Sequence, residues 1–172
     1  MAFTAIQVLA TAGLVATGAL AACQASNDGG SGNINDSKLC TTTGQGTYTF
    51  AMSDSLTCVP DPSGGMNGCV PTAIFYILDE SCNIRGTYQV PDCGVPFVIE
   101  ENFLTQLLTV KTIDTTPGSS YFKFDYGNGE FVINNNHCDC VDASSGLESA
   151  DKCKCAFPVD GTVDKRSINF HA

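Results

Sequence analysis

The chain has 172 residues, 10 Cys, no Trp, and 8 Lys plus Arg against 18 Asp plus Glu, for a formal net charge of −10. That length suits one domain, and the acid excess argues against nucleic-acid binding through a basic face. Charged residues are only 15% of the total, so the remaining polarity comes from Gly, Ser, Thr and Asn, a composition common in extracellular β-rich proteins.

The chain opens without a charge: Asp28 is the first ionised side chain. An apolar stretch from Ile6 to Leu20 ends in Ala19-Leu20-Ala21, small residues where a signal peptidase needs them, so residues 1–21 are expected to be a secretory signal. The stretch is short and interrupted by Thr and Gly, which disfavours a membrane anchor. Leu20-Ala21-Ala22-Cys23 resembles a bacterial lipobox, in which Cys23 would be acylated. The missing N-terminal Lys or Arg and the odd thiol this would leave count against that reading.

All ten cysteines follow the cleavage point: Cys23, Cys40, Cys58, Cys69, Cys82, Cys93, Cys138, Cys140, Cys153 and Cys155. An even count behind a signal peptide predicts about five disulfides whose pairing counting alone does not settle. A mature chain of about 150 residues can bury about 70% of its unfolded surface, so the bridges serve endurance outside the cell more than a missing core.

Residues 22–39 are Gly/Ser/Asn-rich without periodicity and predict a flexible lead, or a loop pinned by Cys23 and Cys40. Within them Asn35-Asp36-Ser37 is an N-glycosylation sequon, with Asn35 the acceptor. The body, 40–161, begins with an alternating strand over Thr47 to Met52, followed by turn signals from Pro60 to Gly68. Ala73 to Leu78 is a continuous apolar run, read as a buried strand because it is too short for a typical helix.

Thr87 to Val90 and Val95 to Ile99 are further candidate strands. Over Glu100 to Leu108, the helical spacing of Phe103, Leu104, Leu107 and Leu108 behind two acids predicts one short helix. Ser120 to Tyr126, Gly127-Asn128-Gly129 and Glu130 to Asn134 predict a hairpin, with Phe122, Phe124 and Tyr126 on one face and Tyr121, Lys123 and Asp125 on the wet one. The cysteine-free stretch from Gly94 to His137 is rich in apolar residues and should be held by burial. Residues 162–172 read as a tail carrying the dibasic pair Lys165-Arg166. The expected fold is α+β but mostly β: an antiparallel sheet with one or two short helices, braced by about five disulfides.

Cys138-Asp139-Cys140 and Cys153-Lys154-Cys155, with His137 alongside, form the densest cluster of chemical side chains. Four thiolates and an imidazole could bind a metal, yet Cys-x-Cys is not the zinc-knuckle spacing and an oxidising compartment favours bridges. Cysteines two apart share a face of a strand, so antiparallel pairing would join Cys138 to Cys155 and Cys140 to Cys153. No metal or other cofactor is expected.

Catalytic sets are sparse. There is no Gly-x-Ser-x-Gly elbow, and the two histidines, His137 and His171, are poorly placed as bases. Asp79-Glu80 and Glu100-Glu101 are paired carboxylates, but neighbours on a strand point apart, and a glycosidase needs two acids facing across a cleft. Tyr121-Phe122-Lys123-Phe124 superficially resembles the catalytic strand of small fungal secreted ribonucleases. Lys123 stands where the acid should be.

The charge-poor leader ending Ala19-Leu20-Ala21, the ten-cysteine mature chain and the lack of a catalytic set together resemble the filamentous fungal small secreted cysteine-rich proteins. Many of these are effectors that act on a host. The chain lacks the adjacent-cysteine pairs of hydrophobins and any chitin-binding cysteine pattern. In size and cysteine content it is loosely similar to the disulfide-braced avirulence effectors of Leptosphaeria and Cladosporium relatives, which implies an antiparallel sheet with a helix and carries no site residue across.

The expectation is therefore an extracellular, non-enzymatic virulence effector that binds a host protein or enters host cells, through turns such as Gly127-Asn128-Gly129 and the loop from Pro60 to Gly68. No nucleic-acid partner and no membrane span are expected. The alternatives are a secreted carbohydrate-active hydrolase using Asp79, Glu80, Glu100 and Glu101, and a wall-associated or lipid-anchored surface protein.

Overall fold

The computed structural model describes residues 23–163, apart from 64–65, 117, 136–137 and 147. The expected signal over 1–21, both histidines, Lys165-Arg166 and most of the tail lie outside the described residues.

Ten strands follow one another: β1 (Cys23–Gln24), β2 (Thr47–Pro60), β3 (Met66–Leu78), β4 (Ile84–Gln89), β5 (Phe97–Ile99), β6 (Leu108–Asp114), β7 (Tyr121–Tyr126), β8 (Gly129–Val132), β9 (Cys138–Asp142) and β10 (Glu148–Pro158). They form two five-stranded sheets, ordered β1-β5-β6-β7-β8 and β4-β3-β2-β10-β9. All pairings are antiparallel except β1 with β5. The mostly β architecture follows the sequence, but two sheets stand where a single one was expected.

Alternation explains the packing. Phe50 and Met52 of β2, Phe75 and Ile77 of β3, and Cys153, Cys155 and Phe157 of β10 turn one way, onto Phe97, Val110, Phe122, Phe124 and Phe131 of the other sheet. The interior is aromatic: Phe124 stacks on Phe131 at 4.8 Å and meets Phe50 edge-on at 5.0 Å. Such pairs add about 0.5–1.5 kcal/mol beyond the area they bury.

The opposite face of β2 and β3 is covered as well. Leu39 at the end of the lead and Cys40 just after it pack with Ala51, Leu78 and Cys82, with Ile34, Tyr76 and Ile84 at the margin. This double burial is why Ala73 to Leu78 reads as an unbroken apolar run in an antiparallel strand.

The lead is pinned along its length. Asp28 N donates to Thr87 O at 2.8 Å, Ile84 N to Gly32 O at 2.9 Å and Ile34 N to Cys82 O at 2.9 Å, so the lead occupies hydrogen-bonding groups along β4 and its preceding turn. Lys152 Nζ meets Asp36 Oδ2 at 2.6 Å, and Lys154 Nζ donates to Thr41 Oγ1 at 2.8 Å.

The helix expected over Glu100 to Leu108 is not formed, and no helix occurs among the described residues. Ile99 pairs with Leu108 in adjacent antiparallel strands, so residues 100–107 are a connection whose ends must meet. Phe103 and Leu104 pack against the core edge, Leu107 is exposed and Leu108 opens β6 fully buried. Helical spacing here reflects loop anchors.

The hairpin is as expected: Tyr126 pairs with Gly129 around Gly127-Asn128, and Phe122, Phe124 and Tyr126 are fully buried. On its wet face Lys123 meets Glu130 and Lys111 meets Asp125, each at 2.8 Å.

Candidate functional site

Five disulfides use all ten cysteines: Cys23–Cys93, Cys40–Cys82, Cys58–Cys69, Cys138–Cys155 and Cys140–Cys153. The last two join residues directly opposite one another in β9 and β10, the antiparallel linkage that the Cys-x-Cys spacing predicts. These four sulfurs offer no thiolate to a metal, and the described residues contain no cluster of ligating side chains that could hold one. Cys23, bonded to Cys93, has no valence left for a lipid thioether.

The β2–β3 hairpin extends past the strands that flank it. β10 accompanies β2 only as far as Thr57, and β4 accompanies β3 only from Ile74. Beyond those points the strands pair with each other, and Cys58–Cys69 staples them. Val70 stands opposite Thr57, and Val59 lies just past a register shift in the same pairing, opposite Asn67. The two valines are 61% and 62% exposed, the most exposed of the large hydrophobic side chains among the described residues. Pro71, on the stretch of β3 that pairs with β2 but is not covered by β4, has no N–H to offer an incoming strand.

The other expected contact, Gly127-Asn128-Gly129, is partly committed within the molecule. Asn128 N donates to Gly161 O at 3.0 Å, and Asn128 Oδ1 accepts from Val163 N at 2.8 Å. Gly127 lies so close to the Gly161 backbone that a Cβ would collide with it.

Glu100 and Glu101 line an open groove of about 670 Å³ with Gln24, Asn102, Thr105 and Gln106; Asp79 and Glu80 are not among its lining residues. The Tyr88 hydroxyl donates to Glu101 Oε1 at 3.1 Å, and burial followed by the Glu101 charge pushes the phenol far above its usual range. Asp79 instead organises the β3–β4 turn. It accepts from Ser81 N at 3.0 Å and Asn83 N at 2.9 Å. Against partial desolvation, hydrogen bonds from the Asn83 side chain and these amides hold its carboxyl below the usual range.

Two carboxylates that the sequence did not single out are buried. Asp54 is 1% exposed and Asp151 5%; they are direct partners across β2 and β10. The signal was their phase: Asp54 continues the inward series Phe50, Met52, and Asp151 the inward series Cys153, Cys155, Phe157. Ser120, immediately before β7, reaches both from the side of the opposite sheet, at 2.9 Å and 2.6 Å.

Each described cation is engaged. Beyond the pairs already given, Lys38 Nζ donates to Asp142 O at 3.0 Å, and Arg85 sits 5.3 Å from the centre of the Phe103 ring. Asn35 is exposed on the lead, just before the turn fixed by Asp36. No helix among the described residues is long and apolar enough to cross a membrane.

Fold and bridges define a disulfide-braced protein of two facing β-sheets. Comparison with protein families, with curated proteins and with solved structures finds no match in any of the three.

Proposed function

We propose that the protein is a secreted, non-enzymatic effector of fungal type that binds a protein of its host through the stapled β2–β3 hairpin. The observation that carries the reading is the tip itself: two exposed valines on a disulfide-closed extension reaching past the strands that flank it. Apolar side chains on a pre-ordered element bind with little loss of conformational freedom. Five disulfides suit an oxidising exterior, the charge-free leader supports export, and exposed Asn35 is the proposed glycan acceptor.

The experiment replaces Val59→Asp and Val70→Asp together in the mature chain and measures binding to host extracellular proteins alongside the host response. Both should be lost while the unfolding midpoint is unchanged, because the two positions are exposed. An undiminished response would overturn the reading.

The groove at Glu100 and Glu101 favours a second reading, a carbohydrate-active protein. Hydrolysis of a plant or fungal polysaccharide, abolished by Glu100→Gln or Glu101→Gln, would establish it in place of the first.

A further inference from the structure

Ser120 has one hydroxyl proton, yet its oxygen lies within hydrogen-bond distance of two carboxyl oxygens, Asp151 Oδ2 at 2.6 Å and Asp54 Oδ2 at 2.9 Å. Its approach to Thr116 O, at 3.5 Å, is weaker. Asp151 Oδ2 also accepts from Gly118 N at 2.8 Å and Ser120 N at 3.4 Å, so that oxygen is surrounded by donors. Asp54 has fewer donors: besides Ser120 only the Ser55 amide acts on its carboxyl, and its buried Oδ1 has no hydrogen-bond partner of good geometry among the described residues. If the hydroxyl proton goes to Asp151, the contact between Asp54 and Ser120 is a hydrogen bond only when Asp54 supplies a proton of its own.

We propose that Asp54, Ser120 and Asp151 form a proton-held clasp between the two sheets, closed while Asp54 is a neutral acid donating to Ser120 Oγ and released when that proton is lost. Ionisation would place two buried anions about one hydroxyl, which can satisfy only one of them.

Among the described residues no cation acts on Asp54. From β10 the facing group is Asp151; from β6 it is Asp114, whose charge also acts on Asp54. The residue opposite Asp54 on β3 is Ala73. β9 contributes Asp142, which lines a cavity of about 420 Å³ together with Gly118, Ser120 and Asp151. Lys152, next to Asp151 in sequence, is paired with Asp36 of the lead. Burial is the largest effect and, with the negative charges of Asp151 and Asp114, raises the Asp54 carboxyl above its ordinary range against the lowering pull of the Ser120 hydroxyl and the Ser55 amide.

Release acts on Gly118 to Ser120, the end of the β6–β7 connection, which Asp151 holds by two amides. It would widen the cavity between that connection and β9, beside the Cys140–Cys153 bridge whose Cys140 sulfur lies 3.3 Å from Ser120 O. The clasp does not depend on the proposed effector role.

The test is a carboxyl-carbon NMR titration of the full disulfide-bonded chain, with amide exchange of Gly118 and Ser120 corrected for intrinsic rates. Asp54 should keep its proton above the ordinary aspartate range of about pH 4. The two amides should then lose at least roughly tenfold in protection as it ionises. In Asp54→Asn, whose amide donates to Ser120 without titrating, protection should persist across the same range. Ionisation of Asp54 together with the exposed aspartates would overturn the proposal. So would amide protection that persists through its ionisation, or that is lost equally in Asp54→Asn. Should that variant fail to fold, the native titration decides alone.

Discussion

The hydroxyl of Tyr126 donates to the carbonyl of Val159 at 2.7 Å and accepts from Thr105 N at 3.1 Å. One fully buried side chain thereby joins the end of β7, the β5–β6 connection and the segment after β10. Tyr126→Phe keeps the ring and strands the Thr105 amide, while Val159 O retains Thr105 Oγ1. The expected loss is about 1–2 kcal/mol, read from urea unfolding with the disulfides intact.

Gly86 is required by Tyr88. A Cβ at Gly86 would run into the ring and hydroxyl of that tyrosine, which is fully buried and bonded to Glu101. Gly86→Ala should cost about 1–3 kcal/mol, as overpacking does. It should also shift the Tyr88 ring resonances, whereas a substitution at open Gly44 should shift neither stability nor those resonances.

The bridges differ in what they restrain. Cys40–Cys82 closes a separation of 42 residues and Cys58–Cys69 only 11. Chain entropy assigns about 4 kcal/mol to the former and about 3 kcal/mol to the latter. Replacing Cys40 and Cys82 by Ser should therefore lower the unfolding midpoint further and raise amide exchange at Ala51 and Leu78, which the lead covers. Replacing Cys58 and Cys69 should leave the sheets protected and loosen only the tip.

Asp36 and Asp54 should oppose each other in their response to pH. The Lys152 hydrogen bond, then the Lys38 amide, lower the Asp36 carboxyl. Its stabilisation is present above the unfolded value of about 3.9 and lost as pH falls through the lowered folded value. Asp54 is raised, so its contribution is complete below that unfolded value and lost as pH rises through the folded one. Asp36→Asn should cost about 0.5 kcal/mol at neutral pH, as befits a partly exposed pair. The difference from the native chain should vanish in strong acid when unfolding is followed across pH.

Strand positions were legible wherever alternation or a turn signal was strong: Thr47 to Met52, the Tyr121 to Val132 hairpin, and in part Thr87 to Val90, which caught the second half of a strand that runs from Ile84 to Gln89. The Cys-x-Cys pairs were legible too, because the period of a strand and the reach of a disulfide are both fixed. The 100–107 segment misled because Phe103, Leu104 and Leu108 mimic a helical stripe while serving a loop and a strand end. The covering of β2 and β3 by Leu39 and Cys40 was hidden, since a Gly/Ser/Asn-rich segment gives no periodic sign of where it docks. Asp54 and Asp151 were visible in phase with apolar neighbours, but carboxylates in a polar-rich chain do not announce burial until the strand register is known.

The lead along β4 bears on self-association. By engaging Thr87 O and the amide of Ile84, it fills places where a strand from a neighbouring molecule could otherwise extend the sheet. Its Gly/Ser/Asn composition, unpromising for a core, is well suited to that duty, since it occupies the edge without presenting a hydrophobic strand in turn. A chain beginning after Gly32, with Cys93→Ser because its partner Cys23 is lost with the lead, should be prone to edge-to-edge polymerisation, visible as concentration-dependent light scattering, while the chain with its lead intact should not.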